Sequence, residues 1–155
     1  ANLGTDIFYS GTVAAALEGP ILGIPAIAVS LDSHTSQDYS VAADFTAELA
    51  LKVLEEGLPE GTLLNVNVPA RPRSEIKGVR VTKVGRRIYR DQWVRRVHPH
   101  GREYYWLAGE LEEVSNDRES DVAAVEAGYI SVTPVHLDLT RYDQMERLRG
   151  WNLSF

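Results

Sequence analysis

The pattern of apolar and polar residues predicts alternating strands and helices in the first half of the chain. Residues 25–29 form a short apolar run, as expected of a buried strand. After Ser40, a predicted N-cap, apolar residues recur every four positions and predict an amphipathic helix that ends at Gly57. Residues 64–68 alternate between apolar and polar side chains, as a half-buried strand does, and Pro69 ends it. A helix between two strands is typical of a βαβ unit in an α/β fold.

The residues before this unit predict a loop followed by a helix. Residues 2–11 contain Gly and polar residues at short intervals, which is typical of a loop. The Ser10-Gly11-Thr12 segment then opens an alanine-rich helix, and Gly19-Pro20 is expected to limit it. Residues 31–39 are polar and are predicted to form a second loop.

The second half of the chain contains a different pattern. Residues 79–84 and 103–107 have strand composition and predict long antiparallel strands, with a protruding hairpin as one arrangement. Residues 121–127 predict a short helix with Gly128 at its C′ position, followed by a strand at 129–133. Thr140 and Asp143 resemble a capping box that opens a last helix near Leu148.

Composition restricts the class of protein. The 155 residues are 44% hydrophobic and 25% charged, which suits one globular domain. None of the apolar runs approaches the roughly 20 residues that a membrane helix needs, so we expect no membrane association. The chain has no Cys, which excludes disulfides and thiolate zinc sites and is compatible with a cytoplasmic location.

Charge is concentrated in one segment. Residues 71–102 contain eleven Lys and Arg against two acidic residues, although the whole chain carries a net charge of −6. With Trp93, Tyr105 and Trp106, this segment suits single-stranded nucleic acid, an anionic substrate or an acidic surface on another subunit. The strand alternation favours the contact between subunits.

The start of the first helix is a candidate anion site. Free backbone N–H groups and the positive end of the helix dipole lie there, Ser10 and Thr12 add hydroxyls, and Gly11 permits close approach of a ligand. A Ser-Gly-Thr segment is more often only a helix cap. Asn2 and Asp6, on the preceding loop, can orient a ligand or a metal-bound water, or can make ordinary turn hydrogen bonds.

Four segments, in order along nearly the whole chain, resemble the SurE family. They are the loop and helix at residues 2–19, the Leu-Asn-Val-Asn-Val-Pro strand at 64–69, the Tyr-Tyr-Trp strand at 102–106, and the Gly-Tyr-Ile-Ser-Val-Thr-Pro-Val-His segment at 128–136. The resemblance implies an α/β fold with a Rossmann-like parallel sheet and a protruding antiparallel β-hairpin. It also implies homodimers or homotetramers, a divalent metal (Mg²⁺ or Mn²⁺), and hydrolysis of nucleoside monophosphates.

The resemblance also implies roles for particular residues. Ser10, Gly11 and Thr12 fall on the family's phosphate-binding segment, and Asn2 falls on the loop beside its metal site. Asn2, with Asp6 on the same loop, is a candidate catalytic residue. The alternative function is a non-catalytic RNA-binding module that uses the basic aromatic hairpin, although the resemblance makes a nucleic-acid partner the weaker hypothesis.

The chain departs from the family pattern at the metal site. The family holds its metal with an Asp-Asp pair near the amino terminus, a later serine, and an asparagine shortly before the segment where this chain begins. The present sequence contains no Asp-Asp pair. We therefore assign no metal ligand in this chain and expect the ligands, with the first strands of the sheet, in an upstream third of the protein.

The resemblance divides the chain into three expected regions and leaves the histidines in minor roles. Residues 1–78 are expected to complete the Rossmann-like core, 79–108 to form the basic aromatic hairpin used for oligomerisation, and 109–155 to add the carboxyl-terminal strand and helices. His98 and His100 suit a polar hairpin tip better than a metal site. His136, at a strand end, can act as a general acid or base, or can bond Asp138.

Overall fold

The computed structural model describes residues 1–114 and 117–153, and the side chains of Asp91 and of residues 110–114 lie outside this description. The strands are β1 (Ala26–Asp32), β2 (Thr62–Pro69), β3 (Val79–Val81), β4 (Arg87–Val97), β5 (Glu103–Val114) and β6 (Ile130–His136). The α-helices are α1 (Gly11–Ile21), α2 (Ser40–Glu56), α3 (Asp121–Glu126) and α4 (Met145–Arg149). Short 3-10 helices cover Gly4–Tyr9, Arg73–Glu75 and Tyr142–Gln144.

Four strands form the central sheet in the order β1-β2-β6-β3. β1 is parallel to β2 and β3 is parallel to β6, but β6 runs antiparallel to β2. The α/β class and the βαβ unit are confirmed. The expected parallel sheet is instead mixed, because β6 enters beside β2 from the opposite end.

Helices cover both faces of this sheet. α2 packs on one face through a cluster that includes Val53, Val66 and Val132. α1 packs on the opposite face, where Val13 meets Ala28. The 3-10 helix Gly4–Tyr9 and α3 lie on this second face as well. The loop predicted at residues 2–11 is therefore helical over most of its length, in a geometry that has no 3.6-residue apolar period to reveal it.

Strand β2 is buried on both faces, so the prediction of a half-buried strand is wrong. Every residue from Leu63 to Pro69 is buried, including Asn65 and Asn67, which are completely inaccessible. A central strand between β1 and β6 has both of its faces covered, and polar side chains remain there only when they are hydrogen-bonded. The partners of both asparagines belong to the candidate site.

The helices of the βαβ unit differ from prediction at their ends. α1 continues past Gly19 and through Pro20, which is buried and has no backbone N–H to donate to the carbonyl of Ala16. α2 is confirmed up to Gly57, but Tyr39 is its N-cap and makes no side-chain capping bond. β1 extends to Asp32, so the following loop starts later than expected.

The hairpin consists of β4 and β5 only. They pair antiparallel from Arg87 opposite Val114 to Val97 opposite Glu103. The strand predicted at residues 79–84 is shorter and has a different partner, because Val79–Val81 pairs parallel with β6 as the edge of the central sheet. Among the described residues, the hairpin touches the rest of the chain mainly at its base. Its placement as a separate region of the chain stays a prediction.

The carboxyl-terminal elements are partly as predicted. Ser120 caps α3, Gly128 follows it with a φ of +89°, and the predicted strand extends as β6 to His136. The predicted capping box is wrong: the carboxylate of Asp143 pairs with Arg141, and α4 begins only at Met145. Over the part of the chain that the structure describes, we find no helix with the length and apolarity needed to cross a membrane.

Candidate functional site

The start of α1 lies at the carboxyl edge of the parallel strands. Near the end of the helix, Gly19 packs against Ala26, the first residue of β1; a Cβ on this glycine would lie 2.7 Å from the Cβ of Ala26. Eight helical residues before Gly19 span about 12 Å, and β1 covers a similar distance between Ala26 and Ser30. Gly11 therefore lies level with the end of β1, where ligands bind in open α/β sheets.

Asn2 lies at the same edge and is bound from two sides. Its backbone N–H donates to Oδ1 of Asn67 at 2.8 Å, and its carbonyl oxygen accepts from Nδ2 of Asn67 at 3.0 Å and from Nδ2 of Asn65 at 2.9 Å. Its side-chain Nδ2 donates to Oγ of Ser30 at the end of β1. The two buried asparagines of β2 thus fix the backbone of Asn2, and Ser30 orients its side chain.

The residues predicted to bind phosphate surround the first turn of α1. Ser10 is the N-cap, and its Oγ accepts the N–H of Val13 at 3.0 Å. Gly11 and Thr12 are exposed, and a Cβ added at Gly11 would meet no atom within 4 Å. The space above the first turn is open. The Ser10 side chain accepts the N–H of Val13, and the N–H groups of Gly11 and Thr12 come before that residue in the chain. This arrangement suits an anion.

Asp6 faces the base of the hairpin rather than Asn2. Its Oδ2 accepts from Nη1 of Arg87 at 2.6 Å and from the hydroxyl of Tyr89 at 2.7 Å. Burial, followed by the hydrogen bond to Asp6, raises the pKa of Tyr89 above its ordinary value. Two donors from the hairpin already occupy this carboxylate oxygen, so these contacts favour an anchoring role over the predicted catalytic one.

A residue that the sequence did not single out meets the same loop. Asp121, the first residue of α3, is completely buried, and its carboxylate accepts the backbone N–H groups of Gly4, Gly85 and Val122, each at 2.8 Å. A single aspartate in the first turn of a predicted helix suggests only interaction with the dipole. Two of the partners of Asp121 are the backbone N–H groups of Gly4 and Gly85, which are distant in the chain. A pattern of side chains in the sequence cannot predict such contacts.

The histidines do not join this site. His136 pairs with Thr62 at the opposite end of β2 from Asn67, about 16 Å along the strand, and its Nδ1 accepts the N–H of Asp138. His98 and His100 lie at the hairpin tip with their ring centroids 5.1 Å apart. Among the side chains that the structure describes, no three from His, Asp or Glu are grouped so that they could hold a metal ion.

Comparison with known proteins then decides the family. The family described as "Survival protein SurE" matches residues 1–91. The chain belongs to the SurE family. It is 88% identical over 155 residues to a protein named 5'-nucleotidase SurE from Symbiobacterium thermophilum, and 52% identical over 155 residues to another of that name from Moorella thermoacetica. Both matches cover all of this chain but 60% and 59%, respectively, of the relatives.

A solved SurE structure has the same fold. The crystal structure of the SurE protein from Aquifex aeolicus superposes with a TM-score of 0.83 at 44% sequence identity, over 97% of this chain and 61% of that one. The SurE-like α/β fold is therefore confirmed for the region described here. The chain spans about 60% of the length of the curated relatives it matches.

Proposed function

We propose that the complete protein is a metal-dependent phosphatase that hydrolyses nucleoside monophosphates to nucleoside and phosphate. The observation that carries the proposal is the open first turn of α1 beside Asn2, at the carboxyl edge of β1 and β2. The relatives with 88% and 52% identity are named 5'-nucleotidase SurE, which supports the same reaction class.

In this proposal the first turn of α1 binds the phosphate. The backbone N–H groups of Gly11 and Thr12 and the hydroxyl of Thr12 donate to phosphoryl oxygens. Ser10 can donate its hydroxyl proton as well, because a hydroxyl that accepts one hydrogen bond still has a proton to give. Donors fixed by a helix and a cap stabilise the charge that develops in the transition state without having to reorganise.

Asn2 is proposed to orient the substrate phosphate or a metal-bound water beside it. Ser30 accepts the hydrogen bond from Nδ2 of Asn2, so the side-chain carbonyl oxygen Oδ1 is the end that can face a ligand. The hydrogen bonds that Asn65 and Asn67 donate to the Asn2 carbonyl keep this side-chain oxygen in one place. Asp6, held by Arg87, is proposed to act through the loop geometry.

In this proposal the divalent metal is held by residues other than those described here. Mg²⁺ and Mn²⁺ are bound by several oxygen ligands, carboxylates above all. The described residues provide no such group of carboxylates, and Asp6, which lies on the loop, is already paired. We propose that upstream residues supply the ligands. The metal, when bound, would polarise the phosphate and activate a water.

Phosphate release from nucleoside monophosphates tests the proposal. The complete protein should release phosphate when Mg²⁺ or Mn²⁺ is added and stop when EDTA removes the metal. The 155-residue chain, purified in the same way, should release none under the same conditions. An inactive complete protein would refute the proposed function, and metal-dependent activity of the 155-residue chain would refute the upstream ligands.

We further propose that the complete protein assembles through its hairpin. A homodimer or homotetramer formed through the β4–β5 hairpin would cover its exposed aromatic side chains, such as Trp93 and Trp106. A cytoplasmic location stays a prediction. We do not propose the RNA-binding alternative, because no contact among the described residues favours it over a contact between subunits.

A further inference from the structure

The carboxylate of Asp121 is a buried charge that the proposed reaction does not use. Its side chain is fully inaccessible, and three backbone N–H groups satisfy it: Gly4 at Oδ2, and Gly85 and Val122 at Oδ1. Burying a carboxylate is costly unless hydrogen bonds replace its water shell. Removing one acceptor oxygen would therefore leave at least one buried N–H without a partner.

Two of these three partners are glycines that meet at the carboxylate. Gly4 has a φ of +55°, and a Cβ there would lie 2.9 Å from the carbonyl oxygen of Gly85. A Cβ on Gly85 would lie 2.9 Å from Oδ1 of Asp121. Two backbone segments and one carboxylate thus pack too closely at this junction for a side chain at either glycine.

Gly4 is two residues from Asn2 and two from Asp6, so its position determines the path of the whole loop. The loop is held at Asn2 by Asn67, at Gly4 by Asp121, and at Thr5 by the backbone of Arg87, whose carbonyl accepts the Thr5 hydroxyl at 2.9 Å. Asp121 supplies the middle contact of the three, from a different element of the fold.

We propose that Asp121 is a positioning residue that fixes the loop from Asn2 to Asp6 against the start of α1 and so aligns Asn2 with the phosphate site. The inference rests on the proposed function, because alignment matters only if that edge of the sheet binds substrate. A purely structural carboxylate would affect stability without a specific effect on the loop or on turnover.

The matched variants are Asp121→Asn and Val53→Ala in the complete protein. Asparagine keeps the shape but replaces one acceptor oxygen with an NH₂ group that faces N–H donors. Val53 is buried on α2, on the opposite face of the sheet, so its truncation destabilises the core without touching the loop. Urea denaturation of both variants shows whether their losses of stability are comparable.

Two readouts decide the proposal. In Asp121→Asn, hydrogen exchange of a peptide covering residues 1–9 should become faster, and kcat for a nucleoside monophosphate should fall about tenfold or more, with a smaller change in KM. Val53→Ala should change neither by more than about twofold. Unchanged exchange in Asp121→Asn would overturn the proposal, as would faster exchange with unchanged kcat, or equal loss of kcat in Val53→Ala.

The exchange readout separates this inference from the proposed function. If the wild-type complete protein releases no phosphate from any nucleoside monophosphate, the proposed function fails, while exchange in residues 1–9 still reports whether Asp121 holds the loop. If Asp121→Asn does not fold, Gly85→Ala perturbs the same junction, because its Cβ would displace the carboxylate. It is expected to give the same faster exchange and lower kcat, and the absence of either would overturn the proposal.

Discussion

The carboxylate of Asp6 and the guanidinium of Arg87, 81 residues apart in the chain, form an ion pair at 2.6 Å. Both side chains are about three-quarters buried, and the hydroxyl of Tyr89 shares the same carboxylate oxygen. The pair joins the loop before α1 to the first residue of the hairpin. The same ion pair therefore connects the candidate site to the base of the protruding hairpin.

Removing the Asp6–Arg87 ion pair should lower the stability of the contact at the hairpin base. Asp6→Asn replaces a charged partner of Arg87 and Tyr89, and we expect a loss of about 1–2 kcal/mol in the free energy of unfolding, measured by urea denaturation. As a control, Glu55→Gln breaks the exposed pair with Lys52 and should cost no more than about 0.5 kcal/mol. A turnover reduced more than about 100-fold at unchanged stability would instead identify Asp6 as catalytic.

Thr12→Val should lower the phosphatase turnover of the complete protein while the fold stays intact. The substitution removes one hydroxyl donor at the open start of α1, and the loss of such a donor costs about 2–4 kcal/mol of transition-state stabilisation. Steady-state kinetics measure the effect, and Thr140→Val, an exposed threonine near the carboxyl terminus, is the control. Turnover of Thr12→Val within about twofold of wild type would remove Thr12 from the site.

Asp138 should titrate at unusually low pH. Hydrogen bonds from Thr140 and Tyr142 lower the pKa of Asp138 from 3.8 to about 2. Because the folded-state pKa is lower than the unfolded one, any stability that this contributes is present above pH 3.8 and is lost as the pH falls towards 2. NMR titration of the carboxyl carbon measures the pKa, and Tyr142→Phe should raise it. An ordinary value in both proteins would contradict the observed contacts.

Trp106→Ala should weaken a homo-oligomer of the complete protein more than Arg95→Ala does. Trp106 is 57% exposed, with Arg96 over its ring, and aromatic anchors carry much of the binding energy of interfaces. Arg95 pairs with Glu103 on the exposed hairpin, where ion pairs contribute little.

Analytical ultracentrifugation across a concentration series measures the association. Trp151→Ala is the matched control, since Trp151 is 58% exposed but lies outside the hairpin. A monomeric wild type at micromolar concentration, or an oligomer that Trp106→Ala leaves unchanged, would disprove the role of the hairpin.

Local patterns predicted most elements because each depends on neighbouring residues. The four-residue period of α2 and the glycine that follows α3 depend on contacts within one or two turns. The candidate anion site at Ser10 was visible for the same reason, since a helix N-cap is a local feature.

The errors arise where distant parts of the chain decide the structure. The pairing of Val79–Val81 with β6 depends on a strand about fifty residues later in the chain, so its composition could not reveal the partner. Asn65 and Asn67 have the alternation of an exposed face, yet they are buried because Asn2 supplies their partners. The one sequence signal for the burial of these asparagines was their position in a strand, β2, whose apolar residues are all Val or Leu.

The bond between Gly4 and Asp121 spans 117 residues and has a consequence for the order of folding. The β4–β5 hairpin closes over residues 98–102, so its contacts are local and form early, whereas the loop before α1 must wait for α3. We expect the Gly4 amide to be among the last to gain protection in pulse-labelled refolding, and early protection would contradict this order. A chain emerging from the ribosome would therefore complete the loop before α1 only after α3 had been synthesised.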